Sequence, residues 1–210
     1  MLAATAASDF DTAFSHGWQA FDDALGDAAR RAELLINLAT LCQKVGQEYA
    51  ALRAYRAGLS LSSVSRLRLP ALRGALRSAA QLGRRTLVSS LVTETEAEIA
   101  RAADPYECSR AWLDLAEVHA VLDNPDVAEQ CVVRARALAS EYGYHEIAWR
   151  ADHRSEQLAE QGAAAANATG AHRGLGTAPT APYPLADESL VVIARLTALP
   201  LGNEALAAHG

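Results

Sequence analysis

Lysine is almost missing from this chain: Lys44 stands alone among 19 basic residues, and the other eighteen are arginine. With alanine in large excess, the skew looks like GC-rich coding, so no single Arg is read as chosen for its fork-shaped guanidinium. Aromatic residues are few, at 6% of 210 residues, and no uncharged apolar run approaches the length of a membrane span. Met1 to Phe10 has no basic region and no long apolar stretch, so a secretory signal is not expected. Cysteine is sparse too. Cys42, Cys108 and Cys131 are an odd three with no metal-site spacing, which suits a reducing compartment better than a disulfide framework. The expectation is a cytoplasmic protein of one ordinary domain with tails, or of two small domains.

The signatures of chemistry are lacking as well. The histidines His16, His119, His145, His153, His172 and His209 are scattered. His145 and His153 share a helical face but lie two turns apart, about 12 Å of rise, too far to share an ion. Gly174-Leu175-Gly176 has neither the third glycine nor the preceding strand of a dinucleotide loop. Glu94, Glu96 and Glu98, at two-residue spacing, fan around a helix rather than converge. Neither a nucleophile elbow nor a phosphate loop is present. These absences predict a protein that is not an enzyme and holds no cofactor or metal.

What the chain does have is helical periodicity and punctuation. Alanine-rich segments with Leu at intervals favour close-packed helices over sheet. The spacing predicts helices over Ala29–Lys44, Gln47–Leu61, Leu69–Gln81, Arg84–Ala103, Pro105–Leu122, Pro125–Glu141 and Tyr144–Gln161. A further helix, capped by Ser8 or Asp9, runs to about Ala24 with Phe10, Phe14, Trp18 and Phe21 as a core-facing stripe. Asp104-Pro105 and Asn124-Pro125 each set a capping residue before a first-turn proline. Gly46, Gly83 and Gly143 fall where a chain leaving a helix takes positive φ. The last helix, with charges on one side, reads as a solvating cap.

A pattern recurs along this framework. Leu35, Leu38-Ala39, Cys42, Gly46, Ala51, Tyr55 and Gly58 share their offsets with Trp112, Leu115-Ala116, His119, Asp123, Ala128, Val132 and Ala135, 77 residues on. Leu72, Ala75-Leu76, Ala79, Gly83, Val88 and Val92 form a copy between them. These offsets resemble the tetratricopeptide repeat over roughly Ala32–Leu138. The intervals of 37 and then 40 residues exceed the usual 34 or so. The resemblance implies an all-α, right-handed α-solenoid of about three helical hairpins with flanking helices and a flexible C-terminal tail. The divisions expected are an N-terminal helix, partial repeat or cap, over 1–28; a repeat domain with its capping helix over 29–161; a flexible linker over 162–185; and a C-terminal segment over 186–210. In that last segment, Asp187-Glu188 precede an apolar run, Leu190–Leu196, which reads as a short helix or a strand. It either folds back onto the repeats or docks onto another protein.

The resemblance further implies a non-catalytic scaffold or adaptor that binds protein or peptide on the face of each hairpin's first helix. Carried across, the ligand-facing positions are Asn37, Thr40 and Lys44, then Arg73 and Arg77, then Arg110, Asp114 and Glu117. Asn37 would pair with peptide main chain, since an amide both donates and accepts; otherwise it is an ordinary surface residue. From Tyr49 to Thr93 there is no Asp or Glu, but there are eight Arg. Arg73 and Arg77, four apart, make a local pair of cations that would hold an acidic group on a partner. Alternatively, the flanking acidic helices neutralise this belt internally. The overall charge of −6 and the near-absence of lysine argue against nucleic acid. Two other readings stay open: a sensor segment of a larger bacterial transcriptional regulator, and a homo-oligomer built through the C-terminal segment.

Overall fold

The structure is a computed structural model that describes residues 9–61, 64–167 and 185–199. Among the described residues it is all-α, with no strand. The helices are α1 (Phe10–Asp23), α2 (Ala28–Lys44), α3 (Glu48–Leu61), α4 (Ser65–Gln81), α5 (Arg85–Ile99), α6 (Pro105–Val121), α7 (Pro125–Tyr142), α8 (His145–Asn167) and α9 (Asp187–Thr197).

Local chemistry sets the ends. Asp9 accepts from the Thr12 amide (3.1 Å) and Asp27 from the Arg30 amide (2.9 Å). Asp104 accepts from the amides of Tyr106 and Glu107, with Pro105 in the first turn. Each carboxylate satisfies amides that a helix start leaves unpaired. Asn124, expected to do the same, makes no side-chain cap. The exits from α2, α4 and α6 are built alike. Gln47 N–H bonds Cys42 C=O (2.8 Å), Arg84 N–H bonds Ala79 C=O (3.0 Å), and Asn124 N–H bonds His119 C=O (2.9 Å). The residue before each donor has positive φ: Gly46 (76°), Gly83 (66°) and Asp123 (62°). These three occupy one offset of the recurring pattern, and Asp123 bears the cost of a Cβ in that conformation.

Three boundaries differ from the sequence reading by about a turn or more, one of them the end of α5, at Ile99 rather than Ala103. α4 begins at Ser65, a full turn before Leu69, and carries Pro70 inside it. The ring removes one backbone donor but leaves the preceding turn helical, where Arg66 is exposed to water. α8 runs on to Asn167 rather than ending at Gln161, because Ala163–Ala166 are strong helix formers. Of the expected linker, 162–167 therefore belong to a helix and 168–184 lie outside the described residues. The Leu190–Leu196 run is a helix, α9. Residues 200–210 of the expected C-terminal segment lie outside the described residues.

Contacts divide the chain into two units, parting between Leu91 and Val92 inside α5. In the first, α1 packs on α2, α2 on α3 and α3 on α4; α2 also reaches α4, and α9 lies against α1 and α3. Its core is Phe14, Leu35, Leu38, Leu41, Leu52, Leu72 and Leu76, all essentially inaccessible. Phe14 and Phe21 of the N-terminal stripe are buried, while Phe10 and Trp18 are half-buried. In the second unit, α6 packs on α7 and α7 on α8, and α6 also touches α8. Leu115, Val118 and Ile147 fill its centre. Small residues allow the close approaches. A Cβ on Gly58 of α3 would meet Ile36 Cγ1 of α2 at 3.1 Å and the Ala32 carbonyl at 3.3 Å.

Candidate functional site

Within the first unit, five of the expected ligand-facing residues lie on two helices that touch, α2 and α4. Thr40 and Lys44 of α2 are exposed and Asn37 is half-buried; on α4, Arg77 is exposed. Arg73 is not a surface group, with only 5% of its area accessible. Neither Arg73 nor Arg77 lacks a partner. A polar chain ties these two helices to α3. Tyr55 OH of α3 donates to Gln43 Oε1 of α2 (2.9 Å), and Thr40 Oγ1 lies 3.0 Å from the same phenol. Gln43 Nε2 donates to the Gly74 carbonyl (3.1 Å) and Ser78 Oγ (2.9 Å) of α4, and Ser78 Oγ donates to Glu48 Oε2 (2.7 Å). Burial pushes the Tyr55 phenol up to about 12 against the pull of the Thr40 bond and the nearby Arg77 charge, so it stays a neutral donor. Thr40, read as a ligand contact, is thus also a structural partner of Tyr55.

Within the second unit, α6 and α8 enclose a cleft of about 220 Å³. Leu113, Asp114 and Glu117 line it from α6; Trp149, Arg150, His153, Arg154 and Gln157 line it from α8. One wall therefore carries carboxylates and the other guanidiniums. Arg154 crosses to Glu117 at 3.1 Å, while Arg150 pairs with Glu146 on its own helix at 3.6 Å. Asp114 is buried, 3% exposed, and is not without a partner. Trp149 is 67% exposed. Its ring stacks on His153, 5.7 Å between centroids and 9° from parallel, and His153 Nε2 is 2.9 Å from Gln157 Nε2. Arg110, the remaining expected contact, pairs with Glu107 at 3.1 Å and lies 5.6 Å over the Tyr106 ring.

The structure thus places Asn37, Thr40 and Lys44 on α2 and Arg77 on α4, and brings Asp114 and Glu117 together in the α6–α8 cleft. The sequence reading missed Trp149, Arg150, His153, Arg154 and Gln157. A signal was available: Trp149, His153 and Gln157 recur at four-residue spacing, as do Arg150 and Arg154, which places them on adjoining stripes of one helix. An exposed Trp beside charge is also an unusual element in a merely solvating face.

The remaining reactive groups are quiet ones. Burial raises the thiols of Cys42 to about 12 and Cys131 to about 11, and also raises Cys108. All three are free and buried. Burial holds His119 below its ordinary value, partly offset by Glu96, and both its ring nitrogens are enclosed without a hydrogen-bond partner. Among the described residues no three His, Cys, Asp or Glu are grouped so as to hold a metal ion, and no helix is long and apolar enough to cross a membrane. Comparison of the chain with protein-family models, with curated proteins and with solved structures finds no match.

Proposed function

We propose that this chain is a non-catalytic scaffold of tetratricopeptide type, built of about three such hairpins, that binds a protein or peptide segment in the cytoplasm. The observation that carries the reading is the α6–α8 cleft, where an exposed Trp149–His153 stack adjoins a carboxylate wall and a guanidinium wall. Binding energy at protein surfaces concentrates in a few aromatic and Arg residues, and an exposed Trp is the strongest single anchor of that kind. The Glu117–Arg154 pair would be exchanged for pairs with the ligand at little cost, since an exposed ion pair is worth only about 0–1 kcal/mol. The contacts on α2 and α4, Asn37, Thr40, Lys44 and Arg77, would add main-chain and acidic-group recognition. The copied turn geometry at Gly46, Gly83 and Asp123 and the contacts α2–α4 and α6–α8 support the repeat assignment.

The test is selection of binding peptides from a random display library on the intact chain. Selected peptides are expected to bind Trp149→Ala about tenfold or more weakly. Failure to select any peptide, or equal binding by Trp149→Ala and Arg77→Ala, would sink the reading.

A further inference from the structure

α9 is held in the first unit by contacts that specify its position and direction. Val192, Ile193 and Leu196 are buried together with Ser189, which gives the i, i+3, i+4, i+7 spacing of a helix lying in a groove. At its start, Asp11 Oδ1 of α1 accepts from the Ala186 amide (2.9 Å) and from Ser189 Oγ (2.5 Å). At its end, the Arg53 guanidinium of α3 donates to the Leu199 carbonyl, and the same guanidinium is steadied by Tyr49 OH at 2.8 and 3.1 Å. Arg195 lies 5.2 Å over the Trp18 ring of α1. An anion thus meets the positive end of the helix dipole and a cation meets the negative end.

These contacts are made by Ala186 to Leu199, that is by α9 and the residues at its two ends. Seventeen residues, 168–184, lie between Asn167 of α8 and Leu185, enough to reach roughly 60 Å when extended. A covalent connection raises the local concentration of α9 at its own seat without altering the contacts described above. The occupant that satisfies both charged ends and all four buried positions is α9 itself, and every copy of the chain carries one.

We infer that the seat between α1 and α3 is an exchangeable helix-binding site that takes α9 from a second copy of this chain by the same contacts. Two copies trading α9 helices would form a closed dimer with no new interface chemistry. This inference does not rest on the proposed peptide cleft.

Two full-length variants test it. In one, Val192→Asp with Leu196→Asp spoils the helix; in the other, Asp11→Lys with Arg53→Glu reverses both ends of the seat. Each alone should be monomeric by light scattering. Their equimolar mixture should give a 1:1 complex, because one contributes an intact seat and the other an intact α9. Persistence of monomers in the mixture overturns the inference. A second pair leaves the apolar face of α9 unchanged: full-length Ser189→Cys mixed with full-length Asp11→Cys under mild oxidation. A covalent heterodimer on a non-reducing gel is expected, since the parent side chains lie 2.5 Å apart. Its absence means that each seat accepts only its own helix, and the inference falls.

Discussion

The ring of Tyr55 occupies the space that any side chain at Gly74 would need: a Cβ there would lie 2.2 Å from Tyr55 Cζ. The two residues stand on α3 and α4, and the same phenol that fills this gap anchors Gln43 and Thr40 of α2. Gly74→Ala should therefore destabilise the chain by about 1–3 kcal/mol through overpacking. Pairing it with Tyr55→Ala should give less than the sum of the two single losses, since the clash is then absent. Urea unfolding of the four proteins measures this, and additive losses would refute the packing account.

His119 gives a pH dependence of defined sign. Burial depresses its folded pKa below the ordinary 6.5, so the unfolded chain binds more protons than the folded one. Its contribution is therefore intact above about 6.5 and is lost as pH falls through that value towards the folded pKa. His119→Leu removes two ring nitrogens enclosed without a partner. It should raise stability at pH 7 by about 1 kcal/mol and flatten the decline between pH 7 and 5. Denaturant midpoints at three pH values decide the matter.

The three thiols should be silent in the native protein. All are buried, and the raised pKa values of Cys42 and Cys131 leave almost no thiolate at pH 8. A disulfide-forming dye should find fewer than one reactive thiol per chain before unfolding and three in denaturant. A fast native reaction of Cys42 or Cys131 would contradict the burial described.

Arg73 and Arg77 should separate cleanly on mutation. Arg73 is 5% exposed, so Arg73→Ala should cost more than about 1 kcal/mol of stability by removing a buried polar side chain from its partners. Exposed Arg77→Ala should change stability by no more than about 0.5 kcal/mol. Equal losses in thermal denaturation would show that exposure does not distinguish them.

That contrast marks where sequence reasoning stopped. Spacing of four puts Arg73 and Arg77 on one side of a helix, but it does not say which neighbour covers part of that side. Helix positions were legible because their causes are local: Asp9 and Asp27 cap within three residues, Pro105 fixes a first turn, and Gly46 and Gly83 take positive φ. The start of α4 was read a turn late, since the helix continues through the turn before Pro70, back to Ser65. The α6–α8 cleft was half legible. Asp114 and Glu117 followed from the repeat offsets, whereas α8 lies beyond the last matched hairpin and offered no offset to carry across. The bond from Ser189 to Asp11 spans 178 residues, and nothing near either residue announces it.

That long span has a consequence for the nascent chain. Once α3 has emerged at Leu61, about 125 further residues must be added before α9 begins at Asp187. At translation speeds of 5–20 residues per second, this takes roughly 6–25 s. For that interval the bed prepared by Asp11, Trp18 and Arg53 is bare, and its apolar floor faces the crowded neighbourhood of the ribosome. A newborn copy is then the form most open to a chaperone, or to the finished tail of a sibling made on the same messenger.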